Sequence, residues 1–245
     1  MDYNMTRKRY EIAGYKVVMT TYFQRTRRKA EAYRAQTEWS EDEADIIIDY
    51  EPEYLENVQK KSKMKLSLED WEYLYTGEVF HRRVVKKNGC MIHSSAVAVD
   101  GYAYLFSADS GTGKSTHTAL WKQYLGEKAV ILNDDKPIVR RKGELWYVFG
   151  TPWSGKTDLQ VNDCAKLGGI VFLKRSEKNT IKEISVGEAI PKYLKQTIHQ
   201  VSKEETMDLI LTQMEQILVE TPLYEMGCNI SEEAASLAYH TIRRV

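Results

Sequence analysis

The residues best suited by type and spacing to do chemistry are Ala108-Asp109-Ser110-Gly111-Thr112-Gly113-Lys114-Ser115. Small residues at these positions let successive backbone N–H groups turn inward and cradle phosphate oxygens. A helix opening at Lys114 would add the partial positive charge of its N-terminus. Lys114 can neutralise β- and γ-phosphates, and the Ser115 hydroxyl can ligate Mg²⁺. Ser110, Gly111, Thr112, Gly113, Lys114, Ser115 and Thr116 are therefore the expected nucleotide-contacting set. The spacing is that of a Walker A motif with Ala108 in place of the first glycine. That exchange is tolerable where the backbone avoids positive φ. The competing reading is a glycine-rich strand–helix turn with no ligand.

Asp134-Asp135 closes an apolar stretch, Ala129–Leu132. Ligands of open α/β sheets gather at the carboxyl ends of strands. One carboxylate there can hold Mg²⁺, and the other can take a proton from an attacking hydroxyl. The run Asp-Asp-Lys-Pro is also turn-like. His93 lies on the strand before the one that leads into the glycine segment, where a histidine is more often structural than a ligand. Phe149-Gly150-Thr151-Pro152-Trp153-Ser154-Gly155-Lys156 follows a strand and is shaped by Gly and Pro. Trp153 and Lys156 give it binding groups for a phosphate acceptor, against the plainer reading of a turn with a half-buried Trp. Arg175, after the strand Ile170–Leu173, is either a stabiliser of transferred phosphate or a surface arginine.

The elements that must position these groups read as follows. In the first part, Tyr10–Ile12 and Tyr15–Thr20 form a hairpin around Gly14, and Ile46–Ile48 is a short strand. Ser67 to Asp70 has capping-box spacing and opens a short helix that stops near Gly77. Phe80–Val85 and Cys90–Val99 read as strands joined by an Asn88-Gly89 hairpin turn. Asp100-Gly101 turns the chain into the strand Tyr102–Ser107, which feeds the glycine segment and a helix to about Tyr124. Strands follow at Glu144–Phe149, Ile170–Leu173, Ile181–Ile184 and Leu223–Met226. Helices are expected over Glu188–Gln200, Lys203–Val219 and Ser231–Arg243. Two domains result, a small mixed α/β region over 1–79 and a nucleotide-binding domain with C-terminal helices over 80–245.

Composition excludes several classes. Lys plus Arg equals Asp plus Glu, at 35 each, so no bulk charge draws the chain to nucleic acid or an anionic membrane. Cys90, Cys164 and Cys228 are odd in number and scattered, which fits a reducing cytoplasm and not a disulfide framework. No apolar run is long enough to span a bilayer. Charge is segregated, however. Residues 1–35 hold nine bases against three acids, and residues 36–56 hold nine acids and no base. Two solvated faces or a basic and an acidic surface facing each other account for this, with a docking surface for a charged partner as the alternative.

The ordered set His93-Ser94-Ser95-Ala96, Asp-Gly, Ser110-Gly111-Thr112-Gly113-Lys114-Ser115 and Asn133-Asp134-Asp135 resembles the ATP-dependent phosphoenolpyruvate carboxykinases and the HPr kinase/phosphorylases. The likeness runs over about residues 80–185, and the small HPr-kinase-like proteins are the nearest in pattern. The resemblance implies an α/β, mixed-sheet P-loop nucleotide-binding fold. It implies that His93 lies near the phosphates or a divalent metal. It also implies that one Asp is the base and the other serves the metal, in the order Asp134 base, Asp135 metal partner beside Ser115. ATP with Mg²⁺, or Mn²⁺ in its place, would be the cofactors. The acceptor would be a hydroxyl, foremost a Ser of a small protein or peptide, and Lys114 would complete the catalytic set. A carboxykinase-like lyase and a non-catalytic nucleotide-sensing module are the alternatives. The chain departs from the first family in length and from the second in its Arg-containing signature loop, for which Phe149–Lys156 stands instead.

Overall fold

In the computed structural model, which describes residues 3–197 and 204–244, Ala13 and Gly14 take φ of 53° and 73°. Two successive positive-φ residues match the twist of a tight hairpin, and they fold β1 (Thr6–Ile12) onto β2 (Tyr15–Thr21). The chain separates into two compact units, Met1–Arg83 and Val84–Val245. In the first, β3 (Ile46–Ile48) adds parallel to β2. The segregated charges face each other there: Arg7 pairs with Glu41 and Asp49, and Lys16 with Glu43. The α-helices of its described residues are α1 (Gln24–Ala30), α2 (Pro52–Lys61) and α3 (Leu68–Val85), whose last two residues fall in the second unit.

Ser67 and Asp70 cap α3 reciprocally, as their spacing predicts. The expected stop near Gly77 and the expected strand Phe80–Val85 are both corrected, because α3 runs through them to Val85. Tyr73, Phe80 and Val84 are buried at helical spacing. Burying that face outweighs the roughly 1 kcal/mol that an interior glycine costs a helix. The Asn88-Gly89 hairpin is likewise corrected. Asn88 turns the chain at φ 59°, and β4 (Gly89–Met91) pairs with β8 (Ile138–Lys142), a strand not expected from the sequence.

The second unit is built on a mixed sheet ordered β4-β8-β9-β10-β6-β5-β7. Its remaining strands on that path are β5 (Ser94–Val99), β6 (Tyr102–Ser107), β7 (Val130–Asn133), β9 (Leu145–Phe149) and β10 (Cys164–Arg175). β10 runs parallel to β6 on one side. On its other side it pairs first with β9, antiparallel, and then with β12 (Leu223–Cys228), parallel. β11 (Thr180–Glu183) lies outside β12. Asp100 and Gly101, at φ 52° and 82°, close the β5–β6 hairpin.

Helices cover both faces of this sheet. The α4 helix (Lys114–Leu125) and α7 (Glu232–Ile242) bury Val97, Phe106, Val171 and Met226. The helices α5 (Val186–Thr197) and α6 (Glu204–Glu220) bury Ala96, Leu105, Ile170 and Phe172 on the other. Alternate residues of one strand enter opposite layers, so these central strands are apolar on both sides. The expected helical residues Ile198–Gln200 and Lys203 lie outside the described residues. Because β6, β7 and β10 point one way and β5 the other, four chain ends meet at one edge. They are the start of β5 beside His93 and the ends of β6, β7 and β10.

Candidate functional site

The glycine segment leaves β6 and opens α4 at that edge. Gly111 and Gly113 take φ of 77° and 121°, and Ala108 is not among the positive-φ residues, as its substitution for glycine requires. The Thr112 N–H closes the turn on Asp109 O at 3.1 Å. Arg175, from the end of β10, donates from Nε to Thr112 O at 3.4 Å and from a terminal nitrogen to Gly111 O. Peptide planarity places each carbonyl opposite the N–H that follows it. Arg175 therefore grips the loop by its carbonyl side and leaves the Gly113 N–H facing the other way. Arg175 braces the loop; the phosphate contact expected of it is not needed to explain its position.

Lys114 is only 8% exposed and folds back to donate from Nζ to Ala108 O at 2.9 Å. Burial lowers its pKa, while the charges of Asp135, Asp134 and Asp109 act against that shift. An ammonium has three donors, so this contact leaves two for a phosphate. Ser115 is half-buried on the first turn of α4, and Ser110 and Thr116 are exposed.

Asp134 and Asp135 form the bend that follows β7, and their carboxylates face opposite sides of it. Asp134 turns to the α4 side and is 4% exposed. Its Oδ1 accepts from Ser95 Oγ at 2.6 Å, and its Oδ2 accepts from Thr157 Oγ1. Ser95 Oγ also meets Thr118 Oγ1 at 2.7 Å. Asp135 turns to the α5 side, where His93 Nε2 lies 3.2 Å from its Oδ1. Burial would raise the Asp135 pKa. The His93 hydrogen bond and the charges of Lys136, His93 and Lys114 outweigh it, and the carboxyl is held below its usual range.

His93 Nδ1 lies 3.0 Å from Gln196 Oε1, and Gln196 Nε2 donates to Asp109 Oδ1 at 3.3 Å. Lys195 pairs with Asp109 at 2.7 Å. One polar chain thus runs from Asp135 through His93 and α5 back to the glycine loop. The carboxylate turn itself is held by Asn133, which is fully buried. Its Oδ1 accepts from Asp135 N at 2.9 Å and Lys136 N at 2.6 Å. Its Nδ2 donates to Thr151 O at 3.0 Å and Trp153 O at 3.3 Å.

Trp153 is 1% exposed. The ring is packed in the interior, beyond the half-burial of the plainer reading. Lys156 is exposed, next to Gly155, where a Cβ would stand 3.2 Å from Asp134 O. The loop is laced to β7 through Asp134 N to Leu159 O and Val161 N to Leu132 O, each 3.1 Å. Sequence reading singled out no role for Ser95, Thr118, Asn133, Thr157 or Gln196. Ser95 and Asn133 sit inside motifs already quoted, but nothing in their spacing says what they bond.

A cavity of about 670 Å³ opens beside the glycine loop, with Gly113, Thr116, Leu120, Asn229 and Ile230 in its wall. A second, of about 340 Å³, lies by Asp109, Arg175, Lys192 and Lys195. Among the described residues no three His, Cys, Asp or Glu side chains converge as a metal cage. Mg²⁺ keeps several waters and needs only one or two carboxylates beside substrate phosphates. The oxygen donors Asp135 and Ser115 suit that chemistry.

No family model matches the chain, and no curated protein matches it. Among solved structures, the chain is similar to the Hpr(Ser) kinase/phosphatase from Coxiella burnetii. The two share 9% identity over 62% of this chain and 88% of that one, with a TM-score of 0.35. No helix among the described residues is long and apolar enough to cross a membrane.

Proposed function

We propose that the chain is a nucleotide-dependent phosphotransferase, moving the γ-phosphoryl group of ATP to a hydroxyl of a small protein or peptide. The observation that carries this reading is the meeting of the glycine loop, Lys114, Asp134, Asp135 and His93 at one sheet edge. Catalysis of this kind is positioning plus charge stabilisation. The Gly113 N–H, Lys114 and the first turn of α4 bind the phosphates, and the 670 Å³ cavity has room for the nucleoside. Asp135, kept ionised by His93, and Ser115 would hold Mg²⁺, which supplies charge neutralisation when bound. His93 fixes Asp135 and is itself oriented by Gln196. Asp134, already the acceptor of two hydroxyl hydrogen bonds, is the group for an attacking hydroxyl's proton. Lys156 borders the acceptor side.

The test is incubation with γ-labelled ATP, Mg²⁺ and host extract, followed by identification of the labelled species. Wild type is expected to bind Mg-ATP and transfer label. Lys114→Ala is expected to lose ATP affinity with its fold intact, measured by calorimetry and circular dichroism. Equal ATP binding by wild type and Lys114→Ala would overturn the reading.

A further inference from the structure

General-base catalysis places the base within hydrogen-bond reach of the hydroxyl that attacks. In this chain Asp134 already makes that bond, to the chain's own Thr157. Thr157 is exposed while Asp134 is buried, so the hydroxyl reaches the carboxylate from the solvent side. The seat is not a chance contact of a loose loop. Leu159 O and Val161 N lace the segment to β7, and Ser154 Oγ closes it internally on Gln160 Oε1 at 2.6 Å. Gly155 brings the backbone close enough that a Cβ there would stand 3.4 Å from Asp135 Cβ. Other hydroxyls near the carboxylates do not meet these conditions. Ser95 and Thr118 are wholly buried, and Ser154 is 4% exposed.

We infer that Thr157 is a self-phosphorylation site, occupying the place of the external acceptor hydroxyl beside Asp134. The inference rests on the phosphotransferase reading and on Asp134 as the proton acceptor. The co-reactant is Mg²⁺-bound nucleoside triphosphate. A bond forms between Thr157 Oγ1 and the γ-phosphorus, and the bond from that phosphorus to the β–γ bridging oxygen breaks. The Oγ1 proton passes to Asp134, and the nucleoside diphosphate leaves with the bonding electron pair. Holding the hydroxyl on the protein makes the step unimolecular, which favours it over attack by a free acceptor. The product carries its added negative charge beside Lys156 and must leave Asp134, since two anions repel. Phosphorylation would thereby vacate the seat for an external hydroxyl.

The full chain is incubated with Mg-ATP and no acceptor, and modified peptides are mapped by mass spectrometry. ATP binding is measured on the same samples. Phosphothreonine at 157 is expected in wild type and phosphoserine in Thr157→Ser, with none in Thr157→Val. Asp134→Asn is expected to slow labelling by about 100-fold or more, the general-base range, while still binding ATP. Binding and transfer of phosphate to an extract protein with no label at Thr157 would overturn the inference and leave the phosphotransferase reading standing. Thr157 would then only cap Asp134. No ATP binding at all would overturn both.

Discussion

Replacing Asn133 by Ala is the sharpest test of how the carboxylate turn is built. The side chain touches four backbone groups: the N–H of Asp135 and Lys136, and the C=O of Thr151 and Trp153. Thr151 Oγ1 gives its one proton to Lys136 O at 2.9 Å and only skirts Trp153 O at 3.4 Å, so at least three groups lose their partner. Each buried polar group left unpaired costs about 1–3 kcal/mol, and water reaching the partly exposed Lys136 lowers the total. A destabilisation of about 3 kcal/mol follows, which for a chain of this size lowers Tm by roughly 6–12 °C. Urea unfolding of the full chain measures it. Asn133→Asp keeps the acceptor and turns a carboxylate oxygen onto two carbonyls. It is expected to be at least as unstable near neutral pH and to recover as the pH falls and the carboxyl gains a proton to donate. Phosphate transfer should drop in Asn133→Ala with ATP affinity retained, because the glycine loop is untouched. A loss below about 1 kcal/mol for Asn133→Ala would mean that other groups hold the carboxylate turn.

Burial lowers the His117 pKa to about 4 from 6.5. The folded state therefore binds fewer protons than the unfolded chain between those values. At about 1.4 kcal/mol per unit, about 3 kcal/mol of stability is lost as pH falls from 6.5 to 4. Denaturant titrations across that window should show this slope in wild type and not in His117→Phe. Trp153→Ala is expected to destabilise the chain by about 3–5 kcal/mol, as loss of a buried large aromatic does. Lys156→Ala should leave stability unchanged and raise the acceptor KM alone, readable from steady-state kinetics at saturating ATP.

The glycine loop was legible because its chemistry is local. Gly111, Gly113 and Lys114 must be consecutive or nearly so to wrap one phosphate chain, and the flanking strand and helix carry ordinary periodic signals. That Asp134 and Asp135 take opposite sides is expected from alternation along a strand, although the two residues stand in the bend that Asn133 holds. What bonds them was not legible. Ser95 comes from β5 and Thr157 from the loop after β9, and Thr118 of α4 is linked to Asp134 only through Ser95, so the tertiary fold alone brings them together. The depth to which Trp153 is buried was hidden for the same reason. Pro152 and Gly155 announce a shaped loop, but burial depends on Gly150. A Cβ there would lie 1.9 Å from Val161 O and 2.6 Å from Leu132 O, so the loop is drawn hard against the sheet. In α3, Gly77 and the β-branched end around Val84–Val85 read as a stop and a strand. The buried face of the helix decided otherwise.

The position of β10 in the sheet also bears on how the chain can be made. The hairpin of β5 and β6 closes through a two-residue turn, an event of microseconds, and β7 joins it from nearby sequence. The far edge of β6 waits for β10, which ribosomes deliver only after residues 108–163 have emerged. Until then Tyr102–Ser107, without charge or proline, offers open backbone donors and acceptors between apolar side chains. Such an edge recruits other chains. A fragment that stops ahead of Cys164 would hold every residue of the glycine loop and both aspartates, yet it would come out as aggregate and not as a minimal nucleotide-binding module.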